Sequence, residues 1–363
     1  MQLVHVVGAR PNFMKLAPVL LAGRNVSDIE QCVVHTGQHY DHDMSEQFFE
    51  DLGIPQPDLN LDVGSGTHAQ QTAAIMARIE PVLQRIRPSW LVVYGDVNST
   101  MAAALVAVKL GVPVAHVEAG LRSHDRTMPE EINRLVTDQL ADLLLTPSRD
   151  ANANLAAEGI PEERVVFVGN VMVDTLLRLR KQARGLGMPA RMGVDGKPYI
   201  FVTLHRPSNV DNPGTLKSLL RGLEKLTTRL PVLFAVHPRT RGRIEEFGLQ
   251  GLAPSVSMTA PLGYLETIAL TEQSALVLTD SGGLQEETTV LGVPCLTARP
   301  NTERPVTVTE GTNRLVESNC SAIITAVDEV LAERARGLEP VRRPELWDGR
   351  AGQRIVEALT YHH

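Results

Sequence analysis

Several apolar runs of this chain end in carboxylates. Trp90–Tyr94 is followed by Gly95 and Asp96, the run from Val112 to Val117 ends in Glu118, and the loop beyond reaches Pro129 with Glu130 and Glu131 behind it. Acids at the ends of successive strands come to one edge of a sheet, and carboxylates that share a site push their pKa values apart, giving an acid and a base at neutral pH. His205 follows another such run, where it could bind phosphate when protonated or move a proton. Leu276–Thr279 empties into Asp280, Ser281, Gly282 and Gly283, and Leu284–Glu287 reads as the first turn of a helix. A strand, a glycine turn and a helix start make an anion site, because orphan N–H groups and the positive end of the helix dipole point at one spot. Glu286 and Glu287 suit a helix start and could hold a ribose diol, and Arg304 would complete a phosphate clamp with its planar fork. Arg10 and Lys15 follow the first strand, Leu3–Val7, as further cations at a strand end.

These residues need two sheets to place them. Strands are expected at Leu3–Val7, Gln31–Thr36, Trp90–Tyr94, Val112–Glu118 and Val165–Val168, then at Tyr199–Leu204, Val232–Val236, Val256–Thr259, Leu276–Thr279 and Pro294–Thr297. Helices are expected from about Phe13, from Ala69 to Arg87, over 101–109 with Ser99 and Thr100 as caps, and from Pro129 as first helical residue. The pattern is α/β, two Rossmann-like doubly wound domains facing a cleft, with ligands outside the carboxyl ends of the strands. The first domain spans 1–170 and is completed by a tail helix over 344–361; the second spans 171–343 and carries the glycine turn. Arg184–Lys197, with four glycines and a proline, is the most linker-like segment and the expected hinge.

Composition narrows the class. At 363 residues the chain suits two domains of roughly 150–180 residues. Charged residues are 21% and hydrophobic ones 43%, and no apolar run approaches the roughly 20 residues that span a bilayer. A strand starting almost at Met1 leaves no room for a secretory signal, which points to the cytoplasm. A net charge of −7 speaks against non-specific nucleic-acid binding. Cys32, Cys295 and Cys320 have no metal-like spacing and read as reduced thiols.

The residues also carry a family pattern. Gly8-Ala9-Arg10-Pro11 with Lys15, Thr36-Gly37-Gln38-His39, Gly95-Asp96, His116 through Arg122, Pro129 through Arg134, His205-Arg206, His237-Pro238, Asp280 through Glu287 and Thr302-Glu303-Arg304-Pro305 stand in the order of one family. The chain resembles the bacterial non-hydrolysing UDP-N-acetylglucosamine 2-epimerases from residue 3 to about 320. The resemblance implies the glycosyltransferase-B fold, a homodimer, and interconversion of UDP-GlcNAc and UDP-ManNAc without a cofactor or a required metal. It assigns Asp96, Glu118, Glu130 and His205 to catalysis, and Arg10, Lys15, Ser281, Gly282, Gly283, Glu287 and Arg304 to the UDP part, with Glu287 on the ribose. Many members bind a second UDP-GlcNAc as activator through an Arg-Gln pair and an Arg-Arg-Glu run after the catalytic histidine. Here those positions read Gln70-Gln71 and Arg206-Pro207-Ser208, while Gln38, His39 and Gln71 could still line such a second site.

The chemistry expected is elimination of UDP, which makes the C2 proton removable, followed by re-addition to 2-acetamidoglucal. The residues leave open which carboxylate is acid and which is base. Alternative readings are a hydrolysing epimerase, an epimerase of a modified UDP-hexosamine, a glycosyltransferase of the same architecture, and a non-catalytic nucleotide-sugar sensor.

Overall fold

The computed structural model describes residues 1–38, 46–337 and 343–363. Apolar central strands buried on both faces, with shorter or more exposed strands at the edges, form two all-parallel sheets. In the first half these are β1 (Gln2–Val7), β2 (Glu30–His35), β3 (Leu59–Asn60), β4 (Trp90–Tyr94), β5 (Val114–Val117), β6 (Leu143–Thr146) and β7 (Val165–Phe167), in the order β3-β2-β1-β4-β5-β6-β7. In the second half they are β8 (Ile200–Thr203), β9 (Val232–Ala235), β10 (Ser257–Thr259), β11 (Leu276–Thr279), β12 (Cys295–Ala298) and β13 (Asn313–Val316), in the order β10-β9-β8-β11-β12-β13. Both orders are the doubly wound Rossmann order, whose direction reverses between the first and fourth strands. Polar loops at that reversal are the ones a ligand meets. In the first sheet they follow β1 and β4; in the second they follow β8 and β11.

Contacts divide the chain into two compact units, Met1–Arg178 with Glu345–His363, and Leu179–Pro344. The first unit's core joins Val4, Val6, Leu91, Val93 and Leu144 to Ala103, Ala104 and Ala107 of helix Asn98–Lys109. The second joins Ile200, Val202, Phe234 and Leu278 to Leu216, Leu219 and Leu223 of helix Pro213–Leu226. The tail belongs to the first unit. Helix Ala351–Tyr361 lies on helix Arg10–Gly23, so close that a Cβ on Gly352 would stand 2.6 Å from the Pro18 carbonyl oxygen. Asp174 caps that tail helix, accepting hydrogen bonds from the amides of Ala351 (3.1 Å) and Gly352 (2.8 Å), and Trp347 Nε1 donates to the Pro147 carbonyl.

Several expected boundaries move. Helix Arg10–Gly23 starts three residues before Phe13, because the Asn12 side chain accepts from the amides of Gly8 and Ala9 and folds the loop into the first turn. Ser99 and Thr100 lie inside helix Asn98–Lys109 instead of capping it, and their hydroxyls donate to Gln38 Oε1 and the Tyr94 carbonyl. Helix Gly282–Leu291 takes both glycines into its first turn, which places Glu286 and Glu287 in the second turn. The strands β3, β6 and β13 were not anticipated: β3 has two residues, Leu143–Thr146 follows a helix with no alternation to mark it, and Asn313–Val316 is half polar. The Arg184–Lys197 stretch is ordered: it takes the end of helix Val171–Gly185 and holds helix Met188–Arg191, and Arg184 pairs with Glu272. No helix among the described residues is long and apolar enough to cross a membrane.

Candidate active site

In the first unit, the loops after β1 and β4 are joined by Asn12, whose Nδ2 donates to the Tyr94 carbonyl (3.0 Å). Lys15 Nζ donates to Glu118 Oε1 at 2.7 Å in a buried ion pair. The ammonium sits over Gly95, where a Cβ would come within 2.6 Å of Nζ, and Gly95 holds φ +63°, a backbone conformation that favours glycine. Glu118 itself holds φ +72°, a left-handed conformation that strains a residue with a side chain. Arg10 stands at the first helical position with its guanidinium over the Phe48 ring, 5.1 Å from the centroid.

Asp96 is held by Arg134, a buried guanidinium that donates to Asp96 Oδ2 (3.0 Å) and to Glu131 Oε2 (3.3 Å). Asn133 Nδ2 donates to the Asp96 carbonyl (2.8 Å). Glu131 is buried and accepts from the Ser123 amide and hydroxyl and from the His124 amide. It therefore fastens the loop before helix Pro129–Leu140, while Glu130 beside it stays part-exposed.

Behind these carboxylates lies a fully buried chain of charge. His116 Nε2 meets the Gly95 carbonyl at 2.8 Å and Nδ1 meets Asp138 Oδ1 at 2.6 Å. Asp138 also pairs with Arg122 (2.7 Å) and accepts from the Gly120 amide (3.1 Å). Burial works against the Asp138 charge, yet His116 and Arg122 hold its carboxyl below the usual range. One helix thus fixes both the Gly95–Asp96 turn and the Glu118–Gly120 loop.

The expected second-site residues are built into the unit. Gln71 Nε2 donates to the carbonyls of Gln38 and Gly64, and its Oε1 accepts from Asn98; Gln38 Oε1 accepts from the Ser99 amide and hydroxyl. His39 lies outside the described residues.

In the second unit, helix Gly282–Leu291 starts at Ser281 with no side-chain cap, so its first amides have no partner within the helix. A Cβ on Gly282 would stand 2.7 Å from Arg304 Nη1. The Arg304 guanidinium packs against that glycine and is bound by Glu286 (2.8 Å) and Glu303 (2.7 Å). Arg299 joins Glu303 at 2.8 Å, and Arg206 stands 3.8 Å from it. Burial opposes the Glu303 charge, but Arg304 and Arg299 hold its carboxyl well below the carboxylate range. Glu287 has the opposite surroundings: burial, with Glu286 beside it, pushes it up to about 8 against a hydrogen bond from Tyr264. His205 Nδ1 lies 2.9 Å from Asp280 Oδ1, and its ring stands 5.4 Å from the ring of His237.

Within the first unit the structure therefore gathers Asp96, Glu118 and Lys15 around the Gly95 turn; within the second, Arg304 packs against Gly282 next to Ser281 at one helix start, and Glu287 stands in the following turn. Arg134, Asp138 and Asp280 were not anticipated as site residues. Their signal in the sequence is weak: Arg134 and Asp138 recur at helical spacing from Glu130 and Glu131, and Asp280 directly follows a buried strand. Among the described residues no group of three or more His, Cys, Asp or Glu is placed to hold a metal ion.

Two parallel sheets in Rossmann order, each with charged loops at its point of reversal, define an α/β protein of the glycosyltransferase-B class. A family model for UDP-N-acetylglucosamine 2-epimerase matches residues 22–360. The chain is 46% identical to the UDP-2,3-diacetamido-2,3-dideoxy-D-glucuronate 2-epimerase of Pseudomonas aeruginosa, over 99% of both chains. It is 42% identical to the UDP-N-acetylglucosamine 2-epimerase of Methanocaldococcus jannaschii, again over 99% of both. The crystal structure of that archaeal enzyme in complex with UDP-GlcNAc and UDP superposes with a TM-score of 0.90, covering 99% of this chain and 100% of the other. The chain belongs to the UDP-N-acetylglucosamine 2-epimerase family, whose members are isomerases.

Proposed function

We propose that this chain inverts C2 of a UDP-linked hexosamine, interconverting UDP-GlcNAc and UDP-ManNAc without net hydrolysis. The observation that carries the reading is the Gly95 turn, where Asp96 and Glu118 each meet a cation, Arg134 and Lys15, within 3.0 Å. The C2 hydrogen of a hexosamine is too weakly acidic for direct removal, so UDP leaves first. Developing charge on the diphosphate is stabilised by the first-turn amides after Ser281, by Arg10 and by the Arg304 cluster. One carboxylate among Asp96, Glu118 and Glu130 takes the C2 proton, another returns one to the opposite face of 2-acetamidoglucal as the UDP oxygen re-forms its bond to C1, and His205 takes part in proton transfer or phosphate binding. Glu287 holds the ribose.

A second reading is supported by the 46% identity to the Pseudomonas aeruginosa relative, which is named for a 2,3-diacetamido uronate: the sugar bears a 3-acetamido group and a C6 carboxylate. Supplying UDP-GlcNAc and that uronate in parallel, with phosphorus NMR on each, separates the readings. Turnover of UDP-GlcNAc to its manno epimer with UDP staying substoichiometric supports the first; turnover of the uronate alone assigns the second. UDP accumulating with each turnover overturns both in favour of hydrolysis. We further propose a cytoplasmic homodimer feeding cell-envelope polysaccharide synthesis. Because Gln71 spends its whole amide and Gln38 its side-chain oxygen inside the unit, the expected rate is hyperbolic in substrate; a sigmoid curve would restore the activator site.

A further inference from the structure

Asp280 is wholly buried at the end of β11, next to β8 in the sheet. Its carboxylate accepts from four donors: the His205 amide (3.0 Å), the Arg206 amide (2.9 Å), Asn209 Nδ2 (2.9 Å), and the His205 ring at Nδ1 (2.9 Å). Asn209 Nδ2 is in turn tied to the Ala298 carbonyl at the end of β12. Strands β8, β11 and β12 are therefore locked together at the point where the sheet reverses, and both the backbone and the ring of His205 are bound by one carboxylate. Burial opposes the Asp280 charge, but bonds from His205, Asn209 and Arg206 hold its carboxyl below the usual range. An ionised carboxylate only accepts hydrogen bonds, so His205 Nδ1 carries the hydrogen and Nε2 is the ring nitrogen turned away from Asp280.

We propose that Asp280 is the positioning residue of His205, fixing its ring and its Nδ1–H tautomer so that Nε2 is presented to the nucleotide-sugar. The inference rests on the epimerase reading for what Nε2 then does. A carboxylate that orients a histidine and sets its tautomer is how one side chain acts through another in acyl-transfer triads. A purely structural role would need only the bonds from the two amides and from Asn209, all of which reach Oδ2, and an asparagine oxygen could still accept those. Asparagine at 280 also brings an N–H₂ group, which cannot accept from His205 Nδ1 and favours the Nε2–H form.

The test compares the wild-type chain with Asp280→Asn, with His205→Gln used to assign the ring signals. Long-range nitrogen NMR of the ligand-free protein is expected to show His205 protonated at Nδ1 in the wild type and shifted toward Nε2 in Asp280→Asn. With UDP-GlcNAc, kcat is expected to fall by about 10²-fold or more while the Kd for UDP changes less than about 3-fold. A wild-type His205 without hydrogen at Nδ1 overturns the proposal even if Asp280→Asn fails to fold. So does a variant that keeps kcat, or one that loses UDP affinity and kcat in parallel with its tautomer unchanged. Failure of the epimerase reading is seen separately, as a wild-type protein that leaves both UDP-sugars unaltered while the ring measurement still decides what Asp280 does.

Discussion

Glu118 combines a left-handed backbone at φ +72° with a buried partner, Lys15, at 2.7 Å. Strain of this kind costs on the order of 1–3 kcal/mol and persists only where the surroundings hold it, here the bond from the Glu118 amide to the Leu145 carbonyl and the Lys15 pair. Glu118→Gln keeps the shape and removes the charge, so kcat is expected to fall by about 10²-fold or more with the fold intact; steady-state rates beside a circular dichroism melt check this, and a full-rate variant removes Glu118 from the chemistry. Glu287 gives a pH-dependent effect. Its folded pKa of about 8 lies above the unfolded value of 4.5, so the folded state holds a proton that the unfolded state releases between those values. Stability from this group is fully present below 4.5 and lost as pH rises through about 8. Relative to wild type, Glu287→Gln is expected to gain in Tm as pH is raised through that window, and a constant difference would contradict the buried neutral carboxyl.

Elements decide which of these residues were legible from sequence. Strand ends were readable because buried runs such as Trp90–Tyr94 stop at a glycine or an acid, and Asp96, Glu118, His205 and Ser281 could be placed at those ends before any coordinates. Helix starts were legible only in part: Pro129 opens its helix as expected, but two starts set by long-range partners moved, since Asn12 reaches the Tyr94 carbonyl and Ser99 is drawn inward by Gln38. Nor did the sequence show the partners of Arg304, expected to complete a phosphate clamp: its guanidinium is buried between Glu286 and Glu303 against Gly282. The tail helix shows how much one cap carries. Asp174→Ala removes both acceptors for the Ala351 and Gly352 amides and is expected to cost about 1–2 kcal/mol, read as a lower Tm; Asp174→Asn should lose less. Equal losses in the two variants would mean that packing, not capping, seats the tail.

At the scale of the molecule, one topology is used twice, and each copy places charged loops where its sheet reverses. The first copy contributes acids paired with cations; the second contributes a glycine-started helix and a carboxylate-held histidine. In the proposed reaction the C2 proton becomes removable only when the UDP leaving group departs. The account therefore stands on exchange of the C2 hydrogen with solvent. Proton NMR of the purified chain turning over UDP-GlcNAc in D₂O measures that exchange. The account predicts a manno product carrying deuterium at C2, and a product that keeps its original C2 hydrogen would contradict it.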